Sequence, residues 1–180
     1  RDTLDAPTDA LPPFWDELAG MGWLGLHVDE AHGGSGYGLA EAAVVLEERG
    51  RACAPGPIVT TVLAAAVVDR LADEAARSAF LPGLVDGSAP GTVAFASESS
   101  HDEWTAVLGA VTADVLVVPT PDGWSVLAAD AVEVIEHKSL DPTRRLATVR
   151  ATGGPRTPLG PEPRPGLVRD LAATLLAAES

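Results

Sequence analysis

The chain has 180 residues, of which 46% are hydrophobic and 21% are charged, as is usual for a folded protein with a real core. Its net charge of −14 repels phosphate backbones, so a nucleic-acid partner is disfavoured. Cys53 is the single cysteine and the four histidines are scattered, so the sequence predicts neither an internal disulfide nor a metal site. A reducing, cytoplasmic setting fits best.

The sequence shows no signal for a membrane. The longest nearly apolar run, residues 58–68, is too short to cross a bilayer, and no charged-then-apolar leader opens the chain. We therefore expect no membrane association. The chain begins with Arg1 rather than methionine and stops within a helical pattern, RDLAATLLAAES, so we expect it to be a piece of a longer protein.

Hydrophobic periodicity predicts helices in the first half of the chain. The first is short, starts beside Pro12 and Pro13, and has an apolar face made of Leu11, Phe14, Leu18 and Met21. The second has apolar positions at Leu39, Ala42, Ala43 and Leu46, and ends near Gly50 before the sequence APGP. Two more helices are predicted over residues 58–71 and 73–84. Aromatic residues make up only 4% of the chain, so this core must be built from Leu, Val and Ala.

The period then changes to that of short strands. Five β-branched segments, bounded by Pro, Gly and Asp, are GTVAFASE (91–98), DVLVVPT (114–120), WSVLAAD (124–130), VEVIE (132–136) and LATVR (146–150). No crossover helices separate them, which predicts an antiparallel sheet or barrel. The segment from Thr152 to Pro165 is rich in proline and glycine and is interpreted as a linker, after which a further helix begins at Leu167.

The glycine-rich loop GGSGYG, residues 33–38, is a candidate phosphate cradle. A dinucleotide-binding fingerprint starting at Gly36 and Gly38 needs a glycine at position 41, where the chain has Glu41. A P-loop needs a lysine, and none is near. The loop is therefore interpreted as a structural turn that leads into a helix.

The sequence around this loop resembles a known family. The stretch LAGMGWLGLHVDEAHGGSGYGLAEAAVVLEERGRACAPGP is similar to the N-terminal region of acyl-CoA dehydrogenases, which have a pattern of the type LxxLGWxGLxVPExxGGxG before a helix ending in EELGRxxAPxP. The similarity continues in RSAFLPGLVDG, ADVLVVP, LDPTRRLATV and RDLAATLLAAES, so it covers most of the chain.

The resemblance implies a multi-domain α and β fold. Residues 1–88 would form an N-terminal α-helical bundle, residues 89–163 an antiparallel β-barrel-like middle domain, and residues 164–180 the first helix of a C-terminal helical bundle. The implied activity is FAD-dependent α,β-dehydrogenation of an acyl-CoA thioester, with the hydride passing to flavin N5. The implied partners are the acyl-CoA substrate, for example a fatty-acyl or sterol-derived thioester, an electron-transfer acceptor, and further subunits in a homo- or hetero-oligomer, commonly a tetramer.

The resemblance also indicates cofactor-binding residues. Family members end a strand with Tyr/Phe-x-x-Thr/Ser-Glu-Pro, which contacts the isoalloxazine ring, and here Ala96 and Ser97 take the corresponding places before Glu98. The usual proline is replaced by Ser99, and the family's Trp-Ile-Thr/Ser segment is missing. The family's catalytic glutamate is expected beyond Ser180, so no catalytic residue is assigned in this chain. A catalytically silent partner subunit of a hetero-oligomeric dehydrogenase is the alternative function, and a generic helical interaction module is a third.

Other chemically capable side chains have simpler interpretations. Arg144 and Arg145 are candidates for a CoA phosphate, but a local ion pair with Asp141 is favoured. His101 stands beside two acidic residues and is interpreted as solvated. Cys53 is expected to be packed as a small hydrophobe, and the four tryptophans, Trp15, Trp23, Trp104 and Trp124, are expected to be core anchors.

Overall fold

The computed structural model describes residues 10–95, 102–139, 141 and 144–180. Helices occupy the first half of the chain, as the periodicity predicts. They are α1 (Trp15–Gly20), α2 (Leu39–Arg51), α3 (Ile58–Leu71) and α4 (Glu74–Val85), with 3₁₀ turns at Trp23–Gly25 and Glu30–His32. A later helix, α5, spans Leu167–Glu179. None of the helices in the described residues combines the length and apolar character that a bilayer crossing requires.

The central helix is α3, and it is buried on nearly every side. Each residue from Ile58 to Val68 is buried, which explains why the run is apolar rather than amphipathic. Thr61 is tolerated there because its hydroxyl donates to the Pro57 carbonyl (2.7 Å) and accepts from the Gly91 amide (3.1 Å). This side chain therefore ties the first turn of α3 to the first strand.

The predicted apolar face of α1 is only partly correct. Leu18 is buried as expected, but Trp15 lies beside it in the core, and its indole Nε1 donates to the Gly87 carbonyl at 2.9 Å. Met21 is 55% exposed and Leu11 is 36% exposed, so both were wrongly assigned to this face. The reason is that α1 ends at Gly20, so Met21 follows the helix and Leu11 precedes it.

The strands form two open sheets rather than a closed barrel in the part of the chain that the structure describes. They are β1 (Gly91–Val93), β2 (Glu103–Leu108), β3 (Val115–Thr120), β4 (Gly123–Ala128), β5 (Val132–His137), β6 (Leu146–Ala151) and β7 (Thr157–Gly160). The first sheet has the order β1-β3-β4-β7 and the second the order β2-β6-β5. The fold class of helices followed by mainly antiparallel strands is confirmed, without barrel closure.

One strand pair runs against the antiparallel prediction. The strands β1 and β3 are parallel, with Thr92 opposite Leu116. This is possible without a crossover helix because β2 lies between them in the chain but belongs to the second sheet, and so serves as the crossover connection. The strands β2 and β7 were not predicted, and β7 lies inside the segment interpreted as a linker.

The first sheet separates two hydrophobic clusters because its side chains alternate between its faces. Val93, Val115, Val117 and Val126 face the helices, and pack with α3, α4 and α5 in the larger cluster. Ala94, Leu116, Val118 and Leu127 face the second sheet, and pack with Trp104 and Val149 in the smaller one. The helices and the first sheet thus share one core.

Candidate functional site

The glycine-rich loop uses its own amides and has none left to bind a phosphate. Each amide from Gly33 to Gly38 donates to a nearby group of the same region: the acceptors in order are the carbonyls of Glu30, Asp29, Gly25, Val28 and Leu26 and the Glu41 carboxylate. Gly33 and Gly36 have positive φ angles, and a Cβ on Gly34 would overlap the Val28 carbonyl. These contacts support the structural interpretation of the loop and argue against a nucleotide cradle.

The two residues predicted to contact flavin, Ala96 and Ser97, lie outside the described residues. The candidate site is therefore built from the described residues at the same end of the first sheet. Because β1 and β3 are parallel, their carboxyl ends meet at one edge, and β3 turns there into β4, with Thr120 opposite Gly123. Phe95 is the residue immediately before Ala96, so the segment predicted to contact flavin follows directly after this edge in the sequence.

Two aromatic side chains form the surface of this edge. The ring of Phe95 meets that of Trp124 edge-on, with centroids 6.5 Å apart and an angle of 84° between the planes. Phe95 is 39% exposed, whereas Trp124 is 9% exposed and belongs to the larger cluster. We call this pair the Phe95–Trp124 edge. An edge-to-face pair holds both rings in place and leaves one of them partly open to a ligand.

A carboxylate lies behind the aromatic pair. The indole Nε1 of Trp124 donates to Glu162 Oε1 at 3.0 Å, which fixes the indole orientation. The second carboxylate oxygen, Oε2, is buried and has no hydrogen-bond partner among the described residues. Sequence reasoning missed Glu162 because it stands in the proline-rich segment, where nothing signals that β7 brings it next to Trp124. The edge thus combines a partly exposed phenylalanine with an indole that a partly buried carboxylate holds in place.

The two acidic residues beside His101 form ion pairs, as do Arg144 and Arg145. Glu103 Oε2 lies 2.7 Å from Arg150 Nε, and Asp102 pairs with Arg156. Arg145 Nη1 lies 3.4 Å from Glu136 Oε1. His101 lies outside the described residues. Arg144 Nε is 3.8 Å from Asp141 Oδ2, as favoured, but its Nη2 is closer to a carboxylate that the sequence did not suggest, Glu179 Oε2, at 3.1 Å.

The described histidines are dispersed, and one is unusual. His32 Nε2 lies 3.6 Å from a carboxylate oxygen of Glu74, and His137 Nε2 lies 2.7 Å from Thr148 Oγ1. Both ring nitrogens of His27 are buried without a hydrogen-bond partner in the described chain. Burial, with a smaller contribution from the charge of Arg70, lowers the pKa of His27 to about 4. His27 is therefore a neutral side chain near pH 7.

Two of the simpler interpretations are wrong. Cys53 is exposed rather than packed, because the chain turns after α2 with a positive φ at this residue. Trp23 is 36% exposed, so it is not a core anchor, whereas Trp15, Trp104 and Trp124 are buried as expected. Neither correction adds a functional group to the Phe95–Trp124 edge.

Comparison with known proteins identifies the family. Residues 2–88 match the family model described as acyl-CoA dehydrogenase, N-terminal domain. The helices-then-sheets architecture and this match define an acyl-CoA dehydrogenase type of protein. The chain belongs to the acyl-CoA dehydrogenase family, as the sequence resemblance predicts.

Curated relatives extend the similarity beyond the helices. The chain is 34% identical over 178 residues to acyl-CoA dehydrogenase FadE34 of Mycobacterium tuberculosis, covering 96% of this chain and 24% of the relative. It is 36% identical over 169 residues to acyl-CoA dehydrogenase IpdE2 of Mycolicibacterium smegmatis, covering 93% of this chain and 49% of the relative. The chain therefore spans between about a quarter and a half of the length of these relatives.

Solved structures show the same fold. A variant of the Tcur3481–Tcur3483 steroid ACAD is 28% identical with a TM-score of 0.82, and the match covers 99% of this chain and 56% of that one. A chain of the ChsE4–ChsE5 complex from Mycobacterium tuberculosis is 20% identical with a TM-score of 0.76, and the match covers 98% of this chain and 54% of that one. An acyl-CoA dehydrogenase complexed with FAD from Bacillus anthracis is 19% identical with a TM-score of 0.69, and the match covers 92% of this chain and 34% of that one.

Proposed function

We propose that this chain forms part of an FAD-dependent acyl-CoA dehydrogenase, which removes the α-proton and β-hydride of an acyl-CoA thioester and passes the hydride to flavin N5. Family membership supports the reaction class. The observation in the structure that carries the proposal is the Phe95–Trp124 edge, which directly precedes the predicted flavin contacts Ala96 and Ser97. Domain boundaries at residues 88/89 and 163/164 remain predictions.

The residues at this edge fit the ring end of FAD. The partly exposed Phe95 offers apolar area to a planar ring, and the buried Trp124 indole, fixed by Glu162, holds Phe95 edge-on. We propose that Phe95, Trp124, Ala96 and Ser97 hold the ring, with Glu162 behind the indole. When bound, FAD supplies two-electron chemistry that no side chain offers. The glycine-rich loop is not proposed as a diphosphate site, because its amides are already bonded.

In this proposal the contribution of the chain is to position the ring. Valines on the helix-facing side of the first sheet belong to the same hydrophobic cluster as Trp124 and so hold it in place. The carboxylates of Glu103 and Asp102, near the second sheet, are paired with arginines. Acidification of the α-proton requires hydrogen bonds to the thioester carbonyl and a carboxylate base. We assign neither to a described residue and place the base outside this chain segment.

Partners and setting follow the same reasoning. We propose an acyl-CoA substrate of the fatty-acyl or sterol side-chain type, a separate electron-transfer acceptor, a tetrameric assembly of identical or different subunits, and a cytoplasmic location. Membrane and nucleic-acid partners are not proposed. Two of the similar solved structures, the Tcur3481–Tcur3483 steroid ACAD and the ChsE4–ChsE5 complex, are each named for two components, which supports an oligomer of this kind.

Flavin binding to matched tryptophan variants tests the proposal. The complete protein is titrated with FAD, and absorbance near 450 nm is followed before and after addition of acyl-CoA. We expect Trp124→Leu to weaken FAD binding at least tenfold, because the indole holds the exposed Phe95 ring in its edge-on position. The control Trp23→Leu removes a tryptophan exposed elsewhere and should bind FAD like the parent. Equal FAD affinity in all three proteins, or no flavin binding by the parent, contradicts the proposal.

The alternative, a catalytically silent partner subunit, is favoured by one specific observation. The chain has Ser99 in place of the usual proline and lacks the Trp-Ile-Thr/Ser segment, so part of the expected flavin contact is missing. The number of flavins per protomer in the purified assembly separates the two functions. Full occupancy with bleaching by acyl-CoA supports the enzyme, whereas an assembly with flavin only on a different subunit supports the silent partner.

A further inference from the structure

The apolar stripes of α2 and α5 each end in a charged residue, and the two charges meet. On α2 the buried positions Ala42 and Leu46 continue at helical spacing to Arg49. On α5 the buried positions Leu171 and Leu175 continue in the same way to Glu179. Helical periodicity calls for an apolar side chain at both places. The chain instead has an ion pair between Arg49 and Glu179.

The ion pair is almost completely removed from water. The side chains of Arg49 and Glu179 are 8% and 7% exposed. Arg49 also donates from Nη2 to the Gly56 carbonyl at 2.9 Å. Arg144 Nη2 lies 3.1 Å from the other carboxylate oxygen, Glu179 Oε2, as an ion pair without hydrogen-bond geometry. Burial, aided by the charge of Arg144, lowers the pKa of Arg49 to about 10, so the guanidinium stays charged at neutral pH.

The helix backbones also touch at this point. A Cβ built on Gly50 would overlap the carbonyl of Glu179, so the last turn of α5 rests directly on the end of α2. The two charged side chains therefore extend from backbones that are already in contact. A slip of α5 by one turn would move Glu179 by about 5 Å and leave Arg49 buried without its partner.

We propose that Arg49 and Glu179 form a register lock, which fixes the position of α5 along α2. Stability alone does not explain the pair, because a buried ion pair is commonly no more stabilising than two apolar side chains of similar volume. What the pair adds is discrimination between registers, since the apolar stripes can interdigitate at more than one offset but the charges match at one. Helix placement of this kind does not depend on the proposed flavin chemistry.

Label-to-label distances test the register directly. Cys53 is exposed and is the only cysteine of the 180 residues, and Thr174 is exposed on α5, so Thr174→Cys gives a second labelling site. Spin labels at both positions are measured by double electron–electron resonance in the complete protein, with any cysteine outside these 180 residues replaced by serine, and in its double variant Arg49→Leu/Glu179→Leu. We expect one narrow distance in the parent. In the double variant we expect a broadened or split distribution with components about 5 Å apart, because the apolar pair permits a one-turn slip.

Hydrogen exchange measures the cost of an unmatched charge. Glu179→Gln leaves Arg49 buried without a carboxylate, and we expect the amides of α5 to exchange at least a hundredfold faster, whereas the double leucine variant should regain most of the protection. The matched control is Arg51→Leu, which breaks exposed ion pairs with Glu47 and Glu48 on the same helix and should change neither readout. If Glu179→Gln does not fold, the distance distribution of the double leucine variant still tests the register lock.

Two results would overturn the register lock. A single narrow distance in the double leucine variant, equal to that of the parent, would show that the close contact at Gly50 and the apolar stripe suffice. Unchanged exchange of α5 in Glu179→Gln would show that the pair carries no constraint at all.

Discussion

Acidification is expected to destabilise this chain through His27. Its ring nitrogens are buried without partners in the described chain, and burial lowers the folded-state pKa from 6.5 to about 4. Since the folded-state pKa lies below the unfolded one, the unfolded chain binds the extra proton first as the pH falls. The contribution of neutral His27 to the free energy of unfolding is therefore fully present above about pH 6.5, and is lost progressively as the pH falls towards 4.

The size of this effect follows from the shift. One pKa unit corresponds to about 1.4 kcal/mol, so a shift from 6.5 to about 4 amounts to about 3 kcal/mol in full, of which about 2 kcal/mol is lost by pH 5. A small domain has only about 5–15 kcal/mol of stability in total, so this loss is large.

Urea unfolding at pH 7 and pH 5, followed by circular dichroism, measures it. The matched variant His27→Leu keeps all other titrating groups and removes the buried ring. We expect the loss of unfolding free energy between pH 7 and pH 5 to be about 2 kcal/mol smaller in His27→Leu than in the parent. The same pH dependence in both proteins would refute the reasoning, because it would mean that His27 is solvated or paired in the folded state.

Two further predictions concern tight contacts in the helical half. Gly34→Ala should destabilise the fold by about 2 kcal/mol or more in thermal or urea unfolding, because the added Cβ overlaps the Val28 carbonyl. In the control Gly20→Ala the added Cβ meets no atom within 4 Å, so this change should be neutral or slightly stabilising. Equal effects at the two glycines would contradict the prediction. Thr61→Val should cost about 1–3 kcal/mol in the same assay, because the buried Gly91 amide loses its hydroxyl acceptor, and a change below about 0.5 kcal/mol would count against that bond.

The helices were the most predictable part of the fold. The predicted span of α3, residues 58–71, agrees with the structure, and α4 begins directly after the predicted first residue, Asp73. Local signals decide these boundaries: Pro57 precedes α3, and the Asp73 carboxylate accepts from the Ala76 amide to cap α4. Such signals lie within a few residues of the boundary and can be read from the sequence.

The unpredicted strands lack such local signals. The strand β7 contains Pro158, which normally argues against a strand, but β7 is the edge of its sheet, where one side needs no ladder hydrogen bond. The strand β2 has an irregular register between Trp104 and Val107, with a positive φ at Ala106, and this hides its alternation. Each of these strands is defined only by its hydrogen bonds to a segment that is distant in the sequence.

The Phe95–Trp124 edge and the buried ion pair were hidden for a related reason. The contact of Trp124 with Glu162 and that of Arg49 with Glu179 join residues far apart in the chain, and each side chain alone has an ordinary explanation on the surface. Periodicity does signal that position 49 and position 179 are inward-facing, but it does not say which partner balances each charge. The family resemblance placed Ala96 and Ser97 at the flavin without indicating Trp124.

The single core shared by the helices and the first sheet limits how this protein can be divided for expression. A cut between α4 and β1, near the end of the segment that matches the family model, would leave an uncovered valine-rich sheet face on one fragment and the flank of α3 on the other. Both fragments would then expose apolar surface and would be prone to aggregation. Useful recombinant boundaries therefore keep the two halves in one polypeptide, and heat should melt them together in one step.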